Sequence, residues 1–299
     1  MRMKHWIAFV VLGIIWSSSF MWIKIALEEI GPTTLVAFRV LFGFLFCAAV
    51  IFIQRTNWPV KFNEWWPLLF LGLINQAIPF FLISWGQQAI DSSVAAILDA
   101  TVPLFTIVIA HFLLDDDKIT VFKVTGLLIG FIGVVILLSK DVGESSGSVM
   151  GQAAVVIASM FYAISGIFIR RKTQNTPGYI RSGIPLLSAT FIMWPFAFIT
   201  ESPIQIPQLG ITWISLLFLG IVGSGFAFVL AYYLIHEIGP TKLSMVTYIF
   251  PLGGIILGVV FLDECMTWQI LLGGVLILAS LAVANWQTTK SLASTELNN

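Results

Sequence analysis

Long apolar segments separated by short polar breaks run through almost the whole chain. Each segment is long enough to cross a bilayer as a helix, since roughly 17 to 25 apolar residues span its hydrocarbon core. The pattern predicts ten such helices, at residues 6–27, 33–53, 66–85, 93–114, 120–138, 149–169, 183–200, 213–235, 243–262 and 268–286. The breaks are too short to hold a domain outside the membrane. We therefore expect an all-α integral membrane protein with ten transmembrane helices.

The same pattern contains a repeat. Residues 68–130 align without a gap with residues 216–278, with 16 identities in 63 pairs by direct comparison. Each copy holds five apolar segments, and an odd number makes the second copy enter the membrane from the opposite side. The sequence thus predicts two inverted five-helix repeats, at 1–141 and 149–286, an architecture typical of secondary transporters. We expect a linker at 142–148 and a polar cytoplasmic tail at 287–299.

Composition and charge support a membrane location and indicate an orientation. The chain is 58% hydrophobic and 10% charged, whereas about a quarter of the residues of a soluble domain are charged. With a cytoplasmic N-terminus, the inner loops carry 12 Lys and Arg residues and the outer loops carry 2. Because basic residues are retained on the cytoplasmic side, both termini are predicted to be cytoplasmic.

Motifs for nucleotide binding and metal chemistry are missing from the sequence. It has no Gly-x-x-x-x-Gly-Lys-Ser/Thr loop and no His-Glu-x-x-His, and its three histidines, His5, His111 and His236, lie in different segments. We therefore predict no catalytic residues, no metal and no cofactor, and we expect no nucleic acid partner. The expected partners are the lipid bilayer and a small-molecule substrate, and the oligomeric state is left open.

Two ionisable residues fall inside predicted helices, where a charge is costly and commonly functional. Asp99 lies about 10 Å below the outer end of the fourth helix at 1.5 Å per residue, within a run of Ala, Ile, Leu and Val. It can bind a substrate or a proton, or it can be a carboxyl satisfied by a neighbouring helix. Arg39 lies at a similar depth on the second helix. It is a possible ion-pair partner of Asp99, a snorkelling anchor or a contact for an anionic substrate group.

Pro103 and Pro251 occupy equivalent positions in the two copies. A proline inside a helix removes one backbone hydrogen bond and bends the helix. Such bends are tolerated in many membrane helices, but their pairing by the repeat favours a hinge or cavity-lining role.

Polar and aromatic residues near the middle of several predicted helices complete the candidate substrate site. These residues are Trp16, Ser19, Asn75, Gln76, Tyr162 and Tyr248. Each alone is more typical of a hydrogen bond between helices, but together they indicate a cavity with polar groups. The Gly126-x-x-x-Gly130 pair is interpreted as a helix-packing element.

Several of these features together resemble the EamA-type members of the drug/metabolite transporter superfamily. They are the two five-helix repeats, Trp16-Ser17 with Phe20, Arg39, the two prolines, and the acidic ends Leu114-Asp115-Asp116 and Leu262-Asp263-Glu264. The resemblance covers essentially residues 6–286. It implies a ten-helix bundle with a cavity between the repeats, and export of amino acids, other metabolites or drugs without ATP. Asp99 departs from the family pattern, in which a small or neutral residue usually precedes this proline.

The sequence as a whole favours a secondary transporter, an exporter of small amphipathic metabolites such as amino acids that works by alternating access. The alternatives are a multidrug or other metabolite exporter driven by proton antiport, and an intramembrane enzyme. An enzyme requires converging nucleophiles, bases or metal ligands at one depth, and the sequence offers only Asp99 and scattered hydroxyl groups.

Overall fold

A computed structural model describes residues 3–55, 62–113, 120–139, 146–173, 176–238, 243 and 245–284. These residues form helices and connecting turns, with no β-strand among them. Eight helices are long and apolar enough to cross a membrane, and two shorter apolar helices follow. The prediction of an all-helical membrane protein is therefore confirmed for the part of the chain described.

The eight longer helices come first in the chain and the two shorter ones last. The longer helices are α1 (Met3–Leu27), α2 (Pro32–Ile53), α3 (Phe62–Leu71, Gly72–Ala77 and Ile78–Gly86 in succession), α4 (Ser92–Asp99 and Val102–Leu113), α5 (Val121–Ser139), α6 (Ser146–Lys172), α7 (Gly178–Thr200) and α8 (Gly210–Leu217, Phe218–Phe226 and Ala227–Ile238 in succession). The shorter helices are α9 (Ile249–Leu262) and α10 (Trp268–Ala284).

Several helix starts differ from the sequence prediction by a few residues, among them those of α6 and α7. Helix α6 begins at Ser146, so the last residues of the predicted 142–148 linker are helical; residues 142–145 and the tail at 287–299 lie outside the described part. Helix α7 begins at Gly178, directly after Pro177, rather than at residue 183. Counting apolar residues misses such turns, because polar side chains at a helix end can extend toward the aqueous interface and let the helix continue.

Helices α3, α4 and α8 depart from regular α-helical geometry. Gly72–Ala77 in α3 and Phe218–Phe226 in α8 are π-helical, and α4 is interrupted at Ala100 and Thr101. A 3-10 turn, Met245–Tyr248, precedes α9. In the alignment of the two copies, Gly72 pairs with Gly220, so the two π-helical segments overlap. The interruption of α4 likewise aligns with the turn that leads into α9.

The helices pack around a core in which α3 and α4 are the most enclosed. Helix α5 lies against α10 through small residues, as predicted for the Gly126 and Gly130 pair. A Cβ atom at Gly126 would come within 2.6 Å of the Ser280 carbonyl oxygen of α10. Large apolar side chains such as Phe131 on α5 and Phe261 on α9 are exposed on the outside of the bundle. This is the surface expected of a protein whose solvent is lipid.

Candidate substrate site

The π-helical segment of α8 contacts two of the predicted site residues. Trp16 of α1 donates from Nε1 to the carbonyl oxygen of Gly223 at 3.2 Å, and Arg39 of α2 donates from Nε to Oγ of Ser224 at 3.0 Å. A π-helical turn bonds residue i to i+5 and is frequent at functional sites. Here adjacent residues of one such turn hold side chains from two different helices of the N-terminal half.

Arg39 is buried although it lies within a membrane-spanning helix. Its helix approaches α8 closely, since a Cβ atom at Gly220 would come within 2.9 Å of the Arg39 carbonyl oxygen. The guanidinium carbon lies 3.8 Å from the centroid of the Phe80 ring, which is a cation–π contact. Apart from the Ser224 bond, Arg39 makes no hydrogen bond or ion pair with any described residue. Its terminal nitrogens therefore remain without a protein partner in that part of the chain.

Trp16 and Ser19 lie on the side of α1 that faces α8 and α9. The Trp16 ring makes edge contacts with Phe228, at 5.9 Å between centroids, and with Phe250, at 6.2 Å. The Ser19 hydroxyl donates to the carbonyl oxygen of Ile15 at 3.1 Å in its own helix. A Cβ atom at Gly223 would lie 3.3 Å from that hydroxyl oxygen, so Ser19 also lines the α1–α8 contact.

Asn75 and Gln76 belong to the π-helical segment of α3 and are both buried. Asn75 accepts a hydrogen bond through Oδ1 from the Ser165 hydroxyl of α6 at 2.6 Å. The Gln76 Oε1 atom is enclosed and has no hydrogen-bond partner in the described structure. Asn75 thus joins two helices, whereas Gln76 brings an unsatisfied acceptor into the bundle.

Asp99 is buried at the last residue of the first segment of α4. Its Oδ1 atom accepts a hydrogen bond of 3.3 Å from the Ser159 hydroxyl of α6. Pro103 lies four residues later and has no N–H to donate, so the Asp99 carbonyl oxygen loses its helical partner. Helix α4 is interrupted at Ala100 and Thr101, just before Pro103.

Arg39, Asp99 and Tyr162 form an electrostatic cluster. The three groups lie close enough for charge on one to influence the ionisation of another, although they come from α2, α4 and α6. Among the described residues no ion pair joins Arg39 to Asp99 within 4.0 Å. The structure therefore places Arg39 and Asp99 in one region of the bundle without joining them in an ion pair.

Tyr248 lies in the 3-10 turn before α9 and is half-buried. Pro251 follows in the first turn of α9, where it is buried. The irregular backbone therefore precedes Pro251, as the interruption of α4 precedes Pro103. The hinge role of the two prolines stays a prediction.

Sequence reasoning missed four residues that hold the predicted ones in place. These are Phe80, Ser159, Ser165 and Ser224. Serine is common in membrane helices, where it satisfies its hydroxyl on its own backbone, and no local signal separates these serines from the others. The repeat gave one available indication, because Ser224 aligns with Gln76.

Comparison with known proteins assigns the family. The model of the EamA-like transporter family matches this chain twice, over residues 4–139 and 149–286. The chain belongs to the EamA-like transporter family. It is similar to the uncharacterized transporter YoaV of Bacillus subtilis, with 25% identity over 92% of this chain and 94% of the relative. It is also similar to the uncharacterized inner membrane transporter YedA of Escherichia coli, with 27% identity over 84% and 80% of the two chains.

The likeness extends to an archaeal relative and to a solved structure. An uncharacterized transporter of Archaeoglobus fulgidus is 24% identical over 94% of this chain and 98% of its own length. A crystal structure superposes with a TM-score of 0.68 at 19% identity, covering 96% of this chain and 99% of that one. This match supports the fold alone. The family, the apolar helices and the named relatives together make this EamA-family member a multi-pass membrane transporter.

Proposed function

We propose that this EamA-family protein is a secondary transporter that exports small amphipathic metabolites, such as amino acids, by alternating access and without ATP. The observation that carries the proposal is the cluster of Arg39, Asp99 and Tyr162. A cation and an acid lie in one buried region, they interact electrostatically, and no described contact pairs them. Such an arrangement suits a ligand that carries both charges.

The chemistry of the cluster indicates how a zwitterion would bind. The free guanidinium nitrogens of Arg39 can donate to a substrate carboxylate in the two-point geometry that arginine favours. Asp99 uses one carboxylate oxygen for Ser159 and keeps capacity to accept from a substrate ammonium group. The Trp16, Phe228 and Phe250 rings offer an apolar wall to the rest of the molecule. Asn75, Gln76, Ser19 and Tyr248 are proposed to complete the site.

The transport cycle is proposed to use two inverted repeats of five spans each, at 1–141 and 149–286. Two separate family matches, the aligned π-helical segments and the aligned interruptions before Pro103 and Pro251 support the duplication. Rocking of the repeats about these irregular segments would expose the site to each side in turn. Helices α9 and α10 are proposed to be the ninth and tenth spans.

Counterflow in proteoliposomes tests the function. Vesicles loaded with one unlabelled amino acid at a time should accumulate the same labelled amino acid from outside, without ATP, when it is a substrate. Recovery of chemically unchanged label separates transport from an intramembrane enzyme reaction. Absence of counterflow for every zwitterionic amino acid would overturn the proposed substrate class.

Proton antiport is the second candidate mechanism, and Asp99 favours it. A buried carboxyl group with one described hydrogen-bond partner is a suitable proton carrier, because burial favours its neutral form. A pH-sensitive dye inside the vesicles should then report proton movement against substrate movement. Counterflow without any proton flux would favour exchange or uniport.

The proposed location is the bacterial or archaeal cytoplasmic membrane, with both termini in the cytoplasm. In a variant free of other cysteines, Ser146→Cys should react with an impermeant thiol reagent added to intact cells. Asn175→Cys, at a position outside the described residues, should react only after the membrane is opened. The reverse labelling would contradict the orientation derived from the basic residues.

A further inference from the structure

Three glutamates at one end of the bundle cap helices that are far away in sequence. Glu29 lies in the α1–α2 loop, Glu201 in the α7–α8 loop and Glu264 in the α9–α10 loop. Glu201 and Glu264 accept from backbone N–H groups in the first turns of α2 and α4, and Glu29 accepts from the two backbone N–H groups directly before α8. In every case one partner belongs to residues 1–141 and the other to residues 149–286. All three contacts therefore tie the N-terminal half to the C-terminal half.

Glu264 is directed onto α4 by the backbone that precedes it. Asp263 ends α9 in the left-handed region with φ of 53°, which turns the chain back so that Glu264 accepts from Ser92 N at 2.6 Å and Ser93 N at 3.0 Å. A Cβ atom at Gly258 would lie 2.3 Å from Glu264 Oε2. The glycine thus leaves the space that the carboxylate occupies.

Glu201 repeats this arrangement at α2. Its two oxygens accept from Thr33 N and Thr34 N, both at 2.9 Å. A Cβ atom at Gly31 would lie 2.3 Å from its Cδ atom. Burial alone would raise the pKa of Glu201, but the hydrogen-bond donors of Thr33 and Thr34 outweigh burial and hold the pKa below its usual value. The Glu201 carboxylate is therefore kept ionised.

Glu29 and Lys24 extend the network to two more loops. Glu29 accepts from the backbone N–H groups of Gln208 and Leu209. Lys24 of α1 donates to the carbonyl oxygens of Gln87 and Ile90 in the α3–α4 loop, both at 2.8 Å. The α1–α2, α3–α4, α7–α8 and α9–α10 loops are therefore joined at this end.

We propose that the three glutamates form a latch that holds this end of the transporter closed and must release for the halves to separate. The first N–H groups of a helix have no partner in their own helix, and a carboxylate is the strongest acceptor a side chain can give them. Separation of the halves replaces these bonds with bonds to water. The free energy of that exchange sets how often the end opens.

Glutamine is the variant that tests the latch. A carboxylate presents acceptors on both oxygens, whereas glutamine presents one acceptor and one NH₂ donor. At Glu264 both oxygens accept from backbone N–H groups. Glutamine would lose one of these hydrogen bonds, because its NH₂ group would face a backbone N–H that is also a donor. Asp263→Asn is the matched control, since Asp263 is an exposed neighbour and asparagine tolerates the left-handed region.

The reporter is a cysteine beneath the latch. Ser93 is 2% exposed, so Ser93→Cys, introduced with Cys47→Ala and Cys265→Ala, should react slowly with a charged methanethiosulfonate reagent in the closed form. In full-length protein purified in detergent, Glu264→Gln should speed labelling about tenfold, corresponding to about 1.4 kcal/mol. Glu201→Gln should also speed it, because both contacts hold the same end, and Asp263→Asn should leave the rate unchanged.

Two outcomes would overturn the latch. The first is an unchanged labelling rate in both Glu264→Gln and Glu201→Gln. The second is an equal rise in Asp263→Asn, which would reflect loss of charge rather than of the cap. Thermal unfolding of each variant separates opening from misfolding, and Glu264→Asp supplies a second variant that keeps the charge but shortens the reach.

The latch rests on the proposed alternating access, but its test needs no substrate. Faster labelling without counterflow of any amino acid would therefore refute the substrate class and leave the latch standing. Counterflow of an amino acid, with an unchanged labelling rate in both glutamine variants, would support the substrate class and refute the latch.

Discussion

The two halves of this chain share their irregular backbone but differ in the side chains placed on it. Gly72–Ala77 and Phe218–Phe226 are both π-helical, yet Asn75-Gln76 in the first aligns with Gly223-Ser224 in the second. Both halves break before a proline, but the aligned residue four positions earlier is Asp99 in one and Thr247 in the other. The irregular backbone segments, which are proposed to move, therefore occur in both halves, whereas the charged residues Arg39 and Asp99 lie in the N-terminal half.

An aligned pair of phenylalanines shows the same division. Phe80 lies under the Arg39 guanidinium, and the aligned Phe228 contacts the Trp16 ring. A phenylalanine ring thus occupies the same aligned position in both halves, but it packs against a guanidinium group in one case and against an indole ring in the other. One platform supports a charge and the other an aromatic surface, so a ligand between them would meet different chemistry on its two sides.

The largest effect should come from the position at which the halves differ by a charge. Asp99→Asn keeps the shape and the Ser159 contact but deletes the charge. It should lower transport of a zwitterionic substrate at least tenfold, which corresponds to about 1.4 kcal/mol of lost interaction. Thr247→Val, at the aligned position, should have a much smaller effect in the same counterflow assay. Normal transport by Asp99→Asn would remove Asp99 from the site.

A double variant separates a binding role from a structural one. If Asp99 and Arg39 serve only to neutralise each other, Asp99→Asn combined with Arg39→Gln should recover the transport that each single variant loses. We expect no recovery, because each group is proposed to bind a different end of the substrate. The comparison is a double-mutant cycle on counterflow rates.

A smaller effect is expected when Arg39 keeps its charge but loses its platform. Arg39→Lys removes the planar group that stacks on Phe80. A cation–π contact contributes from about 0.5 kcal/mol at exposed sites to about 2 kcal/mol when desolvated, and the lysine ammonium group can keep part of it. The concentration of substrate giving half-maximal counterflow should rise several-fold, and Phe80→Leu should reproduce the change. Phe81→Leu is the matched control, because the neighbouring Phe81 ring contacts Phe196 instead of Arg39; it should leave the half-saturating concentration unchanged.

The smallest effect is expected from the prolines, and it should appear in rate rather than in affinity. Pro103→Ala and Pro251→Ala restore a backbone donor and favour a straighter helix. The maximal counterflow rate should fall more than the half-saturating concentration rises. Unchanged rates in both variants would show that the two bends are passive.

The helices could be predicted from the sequence because a bilayer demands long apolar segments, and the all-helical fold follows from them. The family resemblance needed more, namely the repeat, Arg39 and the two prolines. The positions of Arg39 and Asp99 inside helices were equally visible, since charges in such segments stand out. The partners Ser159 and Ser224 were not, because which serine faces which charge depends on helix rotation and packing. The π-helical segments were hidden too, since nothing in Gly72–Ala77 marks an extra residue.

The number of residues in each π-helical segment determines which way the side chains beyond it point. A regular α-helix advances 3.6 residues per turn, so one residue more or less rotates everything beyond it by about 100°. Deleting a single residue within Gly72–Ala77 would turn Phe80 away from Arg39 while leaving the composition of the helix almost unchanged. Insertions and deletions should therefore be tolerated far less in these two short segments than substitutions are. The length of α3 and α8 would itself be part of the specificity of the transporter.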